Sequence, residues 1–378
     1  ICMKFTRRQL IRKSAHFAGI GLASNIIPFP LYAENLNYGP KEGLARLHWN
    51  ENYYGPSERA IEAIKTSSFK GAYYPDHLVD YLKSMIADYN GLDNANIAIS
   101  AGSTQALTIL SQVKARQGTI LSTGLTYDVH LSLAKNSGAR VIRVNDNEDM
   151  TIDLQSIESL SRKNVSVVFI VNPNNPSGMI INSELLRESV KRMSENALVV
   201  VDEAYNEVTS EPETNSMVDL VRDGYNVAIS RTFSKIYGLA GQRVGYMIGQ
   251  PDVINEIRFN GTGEASLSMA GVSAAIASYE DKDFMNFSRD KINQAKEIVE
   301  NGLKSNGLSY LPSETNFILV NLGSIDADKF RDEMLKENIL IRGKYGDYHN
   351  WSRVSMGNLS DVQRYVDAIP KALTNLSV

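Results

Sequence analysis

From about residue 94 to residue 249 the chain alternates short apolar, β-branched runs with longer stretches whose apolar residues recur at helical spacing. The runs fall at 97–100, 119–122, 140–144, 166–171, 198–201, 226–230 and 245–249, and helical stretches such as 103–117, 183–196 and 217–224 lie between most of them. A switch between strand and helix periods at this spacing predicts βα units around a largely parallel sheet. Runs 167–171 and 198–201 are apolar throughout, which is the pattern of strands covered by helices on both faces. After residue 280 the pattern changes. A charged helical stretch at 281–303 leads to a run at 317–322, a helix at 326–337, runs at 339–341 and 353–356, and a final helix at 361–376. This part predicts a smaller α+β unit, and no repeat or low-complexity linker separates it from the first. The expected division is an N-terminal arm at 1–33, a segment at 34–58 packing on the small domain, a large domain at 59–275 and a small domain at 276–378.

The chain has 378 residues, 43% of them hydrophobic and 22% charged. At roughly 150 residues per domain this length carries two domains with real cores. The composition excludes collagen, coiled coil, disorder and a polytopic membrane protein. Lys and Arg number 39 against 43 Asp and Glu, a formal charge of -4, so no overall field attracts a polyanion and nucleic acid is not an expected partner. Cys2 is the only cysteine, which rules out an intrachain disulfide and a cysteine-based zinc cage. Histidines at 16, 48, 77, 130 and 349 include no pair at helical ligand spacing, so no metal centre is expected.

Residues 5–33 read as a basic opening, an apolar stretch and small residues ending at Ala33, the order of an export signal. Thr6-Arg7-Arg8-Gln9-Leu10-Ile11-Arg12-Lys13 resembles a twin-arginine signal, which implies a periplasmic destination. An amphipathic arm on a cytoplasmic protein is the other reading. Asn25, Pro28 and Pro30 interrupt the apolar stretch, so stable membrane insertion is not expected.

Parallel sheets place ligand chemistry at the carboxyl ends of their strands, and four unusual clusters fall at such ends. They are Ala101-Gly102-Ser103-Thr104-Gln105, Asn172-Pro173-Asn174-Asn175-Pro176-Ser177-Gly178, Asp202-Glu203-Ala204-Tyr205, and Arg231-Thr232-Phe233-Ser234-Lys235 with Arg243 eight residues on. Each alone has an ordinary reading as a turn, a cap or a solvated loop. Together they supply a helix start for a phosphate, an emerging carboxylate, amides, hydroxyls and a lysine. Pyridoxal 5'-phosphate asks for that set, because its aldehyde takes a lysine and its ring nitrogen an acid.

The run from Arg231 to Tyr246, RTFSKIYGLAGQRVGY, resembles the lysine signature of fold type I aminotransferases, and is most similar to the histidinol-phosphate aminotransferase family. NPNNPSG, DEAY and Asn50-Glu51-Asn52-Tyr53-Tyr54-Gly55-Pro56-Ser57 agree with that family in order and spacing, over about residues 45–375. The resemblance implies a mainly parallel seven-stranded sheet sandwiched by helices plus a smaller α+β domain. It implies that Lys235 bonds the cofactor aldehyde and moves the proton, that Asp202 keeps the pyridine nitrogen protonated, and that Asn175 and Tyr205 bond the phenolic oxygen. Tyr127 matches the aromatic stacked on the ring. Gly102, Ser103, Thr104, Thr232, Ser234 and Arg243 match the phosphate cup, and Tyr74 matches a tyrosine lent to the neighbouring subunit of a homodimer. Arg353 matches the arginine that grips the α-carboxylate, while Tyr54 and Arg342 stand where the histidinol-phosphate enzymes touch the substrate's phosphate.

The implied activity is transfer of an amino group between an amino acid, or an amino alcohol phosphate, and a 2-oxo acid. Tyr53, Gln242 and the run 343–350 depart from the family pattern beside the substrate pocket, so the donor stays open, and Arg342 reads equally as an anion contact or an exposed strand end. Decarboxylation or racemisation on the same scaffold, a non-catalytic cofactor-binding sensor and a sugar aminotransferase are the rivals.

Overall fold

The apolar runs pair edge to edge into one large sheet. The computed structural model describes residues 39–376, so the arm at 1–33 with its paired arginines lies outside the described residues. A two-residue strand, β1 (Ala45–Arg46), precedes β2 (Ile97–Ser100), β3 (Thr119–Thr123), β4 (Val141–Val144), β5 (Val165–Val171), β6 (Leu198–Asp202), β7 (Val227–Thr232) and β8 (Gly245–Gly249). The last seven form a sheet in the order β2-β8-β7-β6-β5-β3-β4. Neighbours from β4 to β7 are parallel, and β8 runs antiparallel to both β7 and β2.

The continuous apolar runs are explained by two cores, one on each face. Val168, Ile170, Val199 and Val201 belong to one core with Leu186, Val190 and Met193 of the helix Ser183–Ser194. The alternate residues Val167, Phe169, Leu198 and Val200 belong to the other with Leu107 and Leu110 of the helix Ser103–Ala115. Successive side chains point to opposite faces, so from Val167 to Val171 of β5 and from Leu198 to Val201 of β6 both faces are apolar. β6 turns polar only at its last residue, Asp202.

The C-terminal part forms its own layer. β9 (Ser309–Tyr310), β10 (Phe317–Asn321) and β12 (Trp351–Ser355) make an antiparallel three-stranded sheet, while β11 (Ile339–Leu340) pairs in parallel with β1. The pairing of β1 with β11 ties the segment before residue 58 to this part of the chain. The helix Lys282–Ser305 starts where the Asp281 carboxylate accepts the Phe284 N–H, an N-cap that satisfies one orphan donor of the first turn. Among the described residues no helix is long and apolar enough to cross a membrane.

Candidate active site

Parallel strands end at one edge, and that edge collects the polar clusters. Asp202 is the last residue of β6, level with Val171 of β5 and Ser230 of β7. Thr232 ends β7, and Ser234 and Lys235 follow in the next turn. A cavity of about 790 Å³ opens there, lined by Ser103, Thr104, Tyr127, Asn175, Asp202, Tyr205, Thr232, Ser234, Lys235, Arg243, Arg342 and Arg353.

At its base sit an amine and an acid whose proton affinities burial has moved toward neutrality. Lys235 Nζ donates to the Asn50 carbonyl at 3.1 Å and lies 5.3 Å from the centre of the Tyr205 ring. Burial, with Arg353 adding to it and Asp202 opposing, pushes the Lys235 amine down to about 8. Burial pushes the Asp202 carboxyl up to about 6, against the pull of the Lys235 charge. Asp202 is 5% exposed, and its Oδ1 is buried without a hydrogen-bond partner. An unpartnered buried carboxylate oxygen is costly, and it marks the spot where a protonated ring nitrogen would be received.

The Tyr205 phenol, pushed up to about 12 by burial, accepts from Asn50 Nδ2 at 2.8 Å and from Asn175 Nδ2 at 3.5 Å. Asn175 Oδ1 in turn accepts from Arg353 Nη1 at 2.8 Å. Arg353 Nη2 donates to the His48 carbonyl at 3.0 Å, its guanidinium lies 5.1 Å from the centre of the Phe317 ring, and its Nε is buried without a partner. It is a fork braced by its neighbours with donor capacity left over, as a carboxylate grip needs.

The opposite end is an anion cradle. The helix Ser103–Ala115 begins after Gly102, at φ 76°, with no side chain capping its first amides. An uncapped helix start presents N–H groups and a positive dipole end. A Cβ at Gly102 would collide with the Arg243 guanidinium, and one at Gly245 would collide with the Ser103 amide. Arg243 itself sits in the left-handed region at φ 54° and donates to the Ala240 carbonyl at 2.7 Å. Thr104 Oγ1 and the Tyr127 hydroxyl are 2.7 Å apart, and Thr232 Oγ1 and Ser234 Oγ are 2.9 Å apart. Hydroxyls, free amides and a guanidinium at one end, with an amine and an acid with one unpartnered oxygen at the other, fit pyridoxal 5'-phosphate in one orientation.

The family model described as "Aminotransferase class I and II" matches residues 43–369. The chain belongs to the class I and II aminotransferases. It is 30% identical over 348 residues to the histidinol-phosphate aminotransferase of Akkermansia muciniphila, covering 92% of this chain and 94% of that protein. It is also 30% identical over 349 residues to an aromatic amino acid aminotransferase of Cutibacterium acnes, covering 91% and 96%. Among solved structures, histidinol-phosphate aminotransferase from Sinorhizobium meliloti in complex with pyridoxal-5'-phosphate superposes with a TM-score of 0.82 at 27% identity, covering 93% of this chain and 99% of that one. This aminotransferase therefore has the fold type I architecture, takes pyridoxal 5'-phosphate and is a transaminase of the histidinol-phosphate aminotransferase kind.

Of the predicted site residues of the aminotransferase, Gly102, Tyr54 and Tyr74 are not part of the cavity wall, Gly102 lying just behind it against the Arg243 guanidinium. Tyr54 packs edge-on against Phe287, with ring centres 5.5 Å apart. Tyr74 is 72% exposed. Conversely, the cavity wall includes residues given no role from the sequence, among them Asn50, Tyr345 and His48. Asn50 bonds Tyr205, takes the Lys235 ammonium on its carbonyl, and accepts the Ser355 hydroxyl at 2.7 Å on Oδ1. Its signal was present, because it opens the NENYYGPS run. Tyr345 lies between two guanidinia, with Arg342 5.6 Å and Arg353 5.8 Å from its ring centre, and its buried hydroxyl has no partner. His48 contributes its carbonyl. The run 343–350 was marked only as a departure beside the pocket and nothing in it singles out Tyr345, nor does the local sequence mark His48, since their role depends on what β12 brings beside them.

Proposed function

We propose that the aminotransferase moves an amino group between an amino donor with a second anionic group and a 2-oxo acid, using Lys235, Asp202 and Tyr205 as its catalytic residues. The observation that carries this reading is a buried Lys235 amine and a buried Asp202 whose Oδ1 has no partner, both lining one cavity. When bound, pyridoxal 5'-phosphate supplies an aldehyde for amines and a ring that accepts the electrons of a broken Cα bond. Lys235, with its proton affinity brought toward neutrality, is the group that takes a proton from one carbon and returns it to another. Asp202 keeps the ring nitrogen protonated, while Tyr205 and Asn175 donate to the phenolic oxygen. Tyr127 covers the ring face. Gly102, Ser103, Thr104, Thr232, Ser234 and Arg243 hold the phosphate.

Arg353 takes the donor's α-carboxylate. Arg342 lines the cavity and makes no ion pair among the described residues, which supports an anionic distal group such as a phosphate; Tyr54 is its proposed partner at that end. The replacement Lys235→Ala should abolish both turnover and the visible absorption of the bound cofactor. Retention of full turnover would refute the assignment. A donor panel decides the rest: release of an oxo acid marks transamination, whereas release of carbon dioxide would favour the decarboxylase reading.

We also infer a homodimer. Phe69, Tyr73 and Tyr74 are exposed between the helices Glu58–Ser68 and Asp76–Asn90, and clustered exposed aromatic surface supports an interface. Tyr74 is then lent to the neighbouring cofactor phosphate. Residues 59–275 are proposed as the cofactor-holding domain, and 34–58 with 276–378 as the domain that covers the substrate. The paired arginines support twin-arginine export to the periplasm.

A further inference from the structure

Behind the cavity, on side chains that the chemistry above does not use, lies a buried charge network. Arg231 immediately precedes Thr232 on β7, and because neighbouring side chains alternate it points away from the site that Thr232 lines. It borders a second cavity of about 470 Å³ together with Glu207. Arg231 donates from Nη2 and Nε to one oxygen of Glu203, at 2.8 and 3.1 Å, and from Nη2 to Ser216 Oγ at 2.8 Å. The other Glu203 oxygen accepts the Met217 N–H at 2.6 Å. Arg231 Nη1 reaches Glu207 Oε1 at 3.5 Å. Arg289, on the helix Lys282–Ser305, donates twice to the Glu207 carbonyl, at 3.2 and 2.8 Å. Arg231, Glu203 and Glu207 are buried, with Glu203 at 0% exposure.

The network touches the chain beside each group that acts. Glu203 is the residue after Asp202, and its N–H donates to the Ser230 carbonyl at 2.8 Å. Glu207 lies two residues after Tyr205, in the short turn Asn206–Val208. Arg231 lies four residues before Lys235. A buried ion pair contributes little net stability compared with an apolar pair of the same shape, so stability alone does not account for placing one here. A fixed fork between two strand ends does fix their relative position.

We propose that Arg231 is a positioning residue of this aminotransferase: clamped between Glu203 and Glu207, it sets the placement of Asp202, Tyr205 and Lys235 relative to one another. This rests on the reading of Lys235 and Asp202 as cofactor-binding groups. The test compares the holoenzyme with Arg231→Lys, which keeps the charge but not the planar fork, and with the double variant Arg231→Met/Glu203→Gln, which removes both buried charges of the pair. The readouts are thermal unfolding, the pH midpoint of the visible cofactor band, the cofactor dissociation constant, and kcat separately from KM. Misplacement of the reacting groups should lower kcat by between about ten- and a hundred-fold, shift the band midpoint by about half a pH unit, and weaken cofactor binding, in both variants. Variants that lose only thermal stability while keeping the midpoint, the dissociation constant and kcat would overturn the proposal and leave Arg231 a purely structural residue. Absence of a Lys235-dependent visible band in the unaltered protein would instead overturn the reading of the site itself.

Discussion

At the residue scale the site is defined by two groups that the fold holds in unfavourable states. The Lys235 amine titrates near 8 instead of 10.5. Between those values the unfolded chain binds a proton that the folded chain does not, so the stability of the cofactor-free protein should rise with pH across that window. Below it, the penalty is present in full, on the order of 3 kcal/mol. Urea unfolding of cofactor-free protein from pH 7.5 to 10.5 checks this, since Lys235→Met should lack the rise that the unaltered protein shows. Asp202 has the opposite consequence: its folded carboxyl, raised to about 6, holds a proton that the unfolded carboxylate has lost, so its contribution falls as pH climbs from about 4 to 6. Replacing it, Asp202→Asn, preserves shape but removes the charge, and kcat should drop by at least about 10²-fold, with the α-carboxylate grip proposed for Arg353, read as KM, changing much less.

Elements do the aiming. The helix Ser103–Ala115 offers free amides to the cavity because β8 passes close behind its first turn, where a Cβ at Gly245 would meet the Ser103 backbone amide. Backbone atoms cannot swing aside as a long side chain would. Gly245→Ala should therefore cost about 1–3 kcal/mol of stability and weaken binding of pyridoxal 5'-phosphate, measured by equilibrium dialysis, more than it changes the KM of any donor. At this scale the sequence was informative wherever burial is uniform. The runs at 166–171 and 198–201 matched β5 and β6 to within a residue, because both faces of those strands had to be apolar. The antiparallel course of β8 was not legible, since a buried strand carries the same residues whichever way it runs.

The whole molecule adds what no single element holds. If Tyr74 serves the neighbouring subunit, then inactive Lys235→Ala chains and impaired Tyr74→Ala chains co-expressed in equal amounts should form mixed dimers with one intact site each. Random pairing gives recovery of about one quarter of the normal site number, measured by turnover per cofactor-binding site; no recovery would argue for a site complete within one chain. A reporter fused behind residues 1–40 should be exported, and Arg7→Lys/Arg8→Lys should stop it. The amino-acid order alone pointed to the cofactor, because a lysine, an acid, an asparagine loop and a helix start at the ends of apolar strands leave few other ligands possible, and the reaction class came from the resemblance of the 231–246 run, NPNNPSG and DEAY to the aminotransferases. It also determined the strands themselves, through hydrophobic periodicity, which is a local property. Only the tertiary structure decided that His48 and Tyr345 join the site and that Arg231 meets Glu203 and Glu207 behind it. Those contacts link segments up to three hundred residues apart, and a short stretch of sequence carries no record of which distant surface will be folded against it.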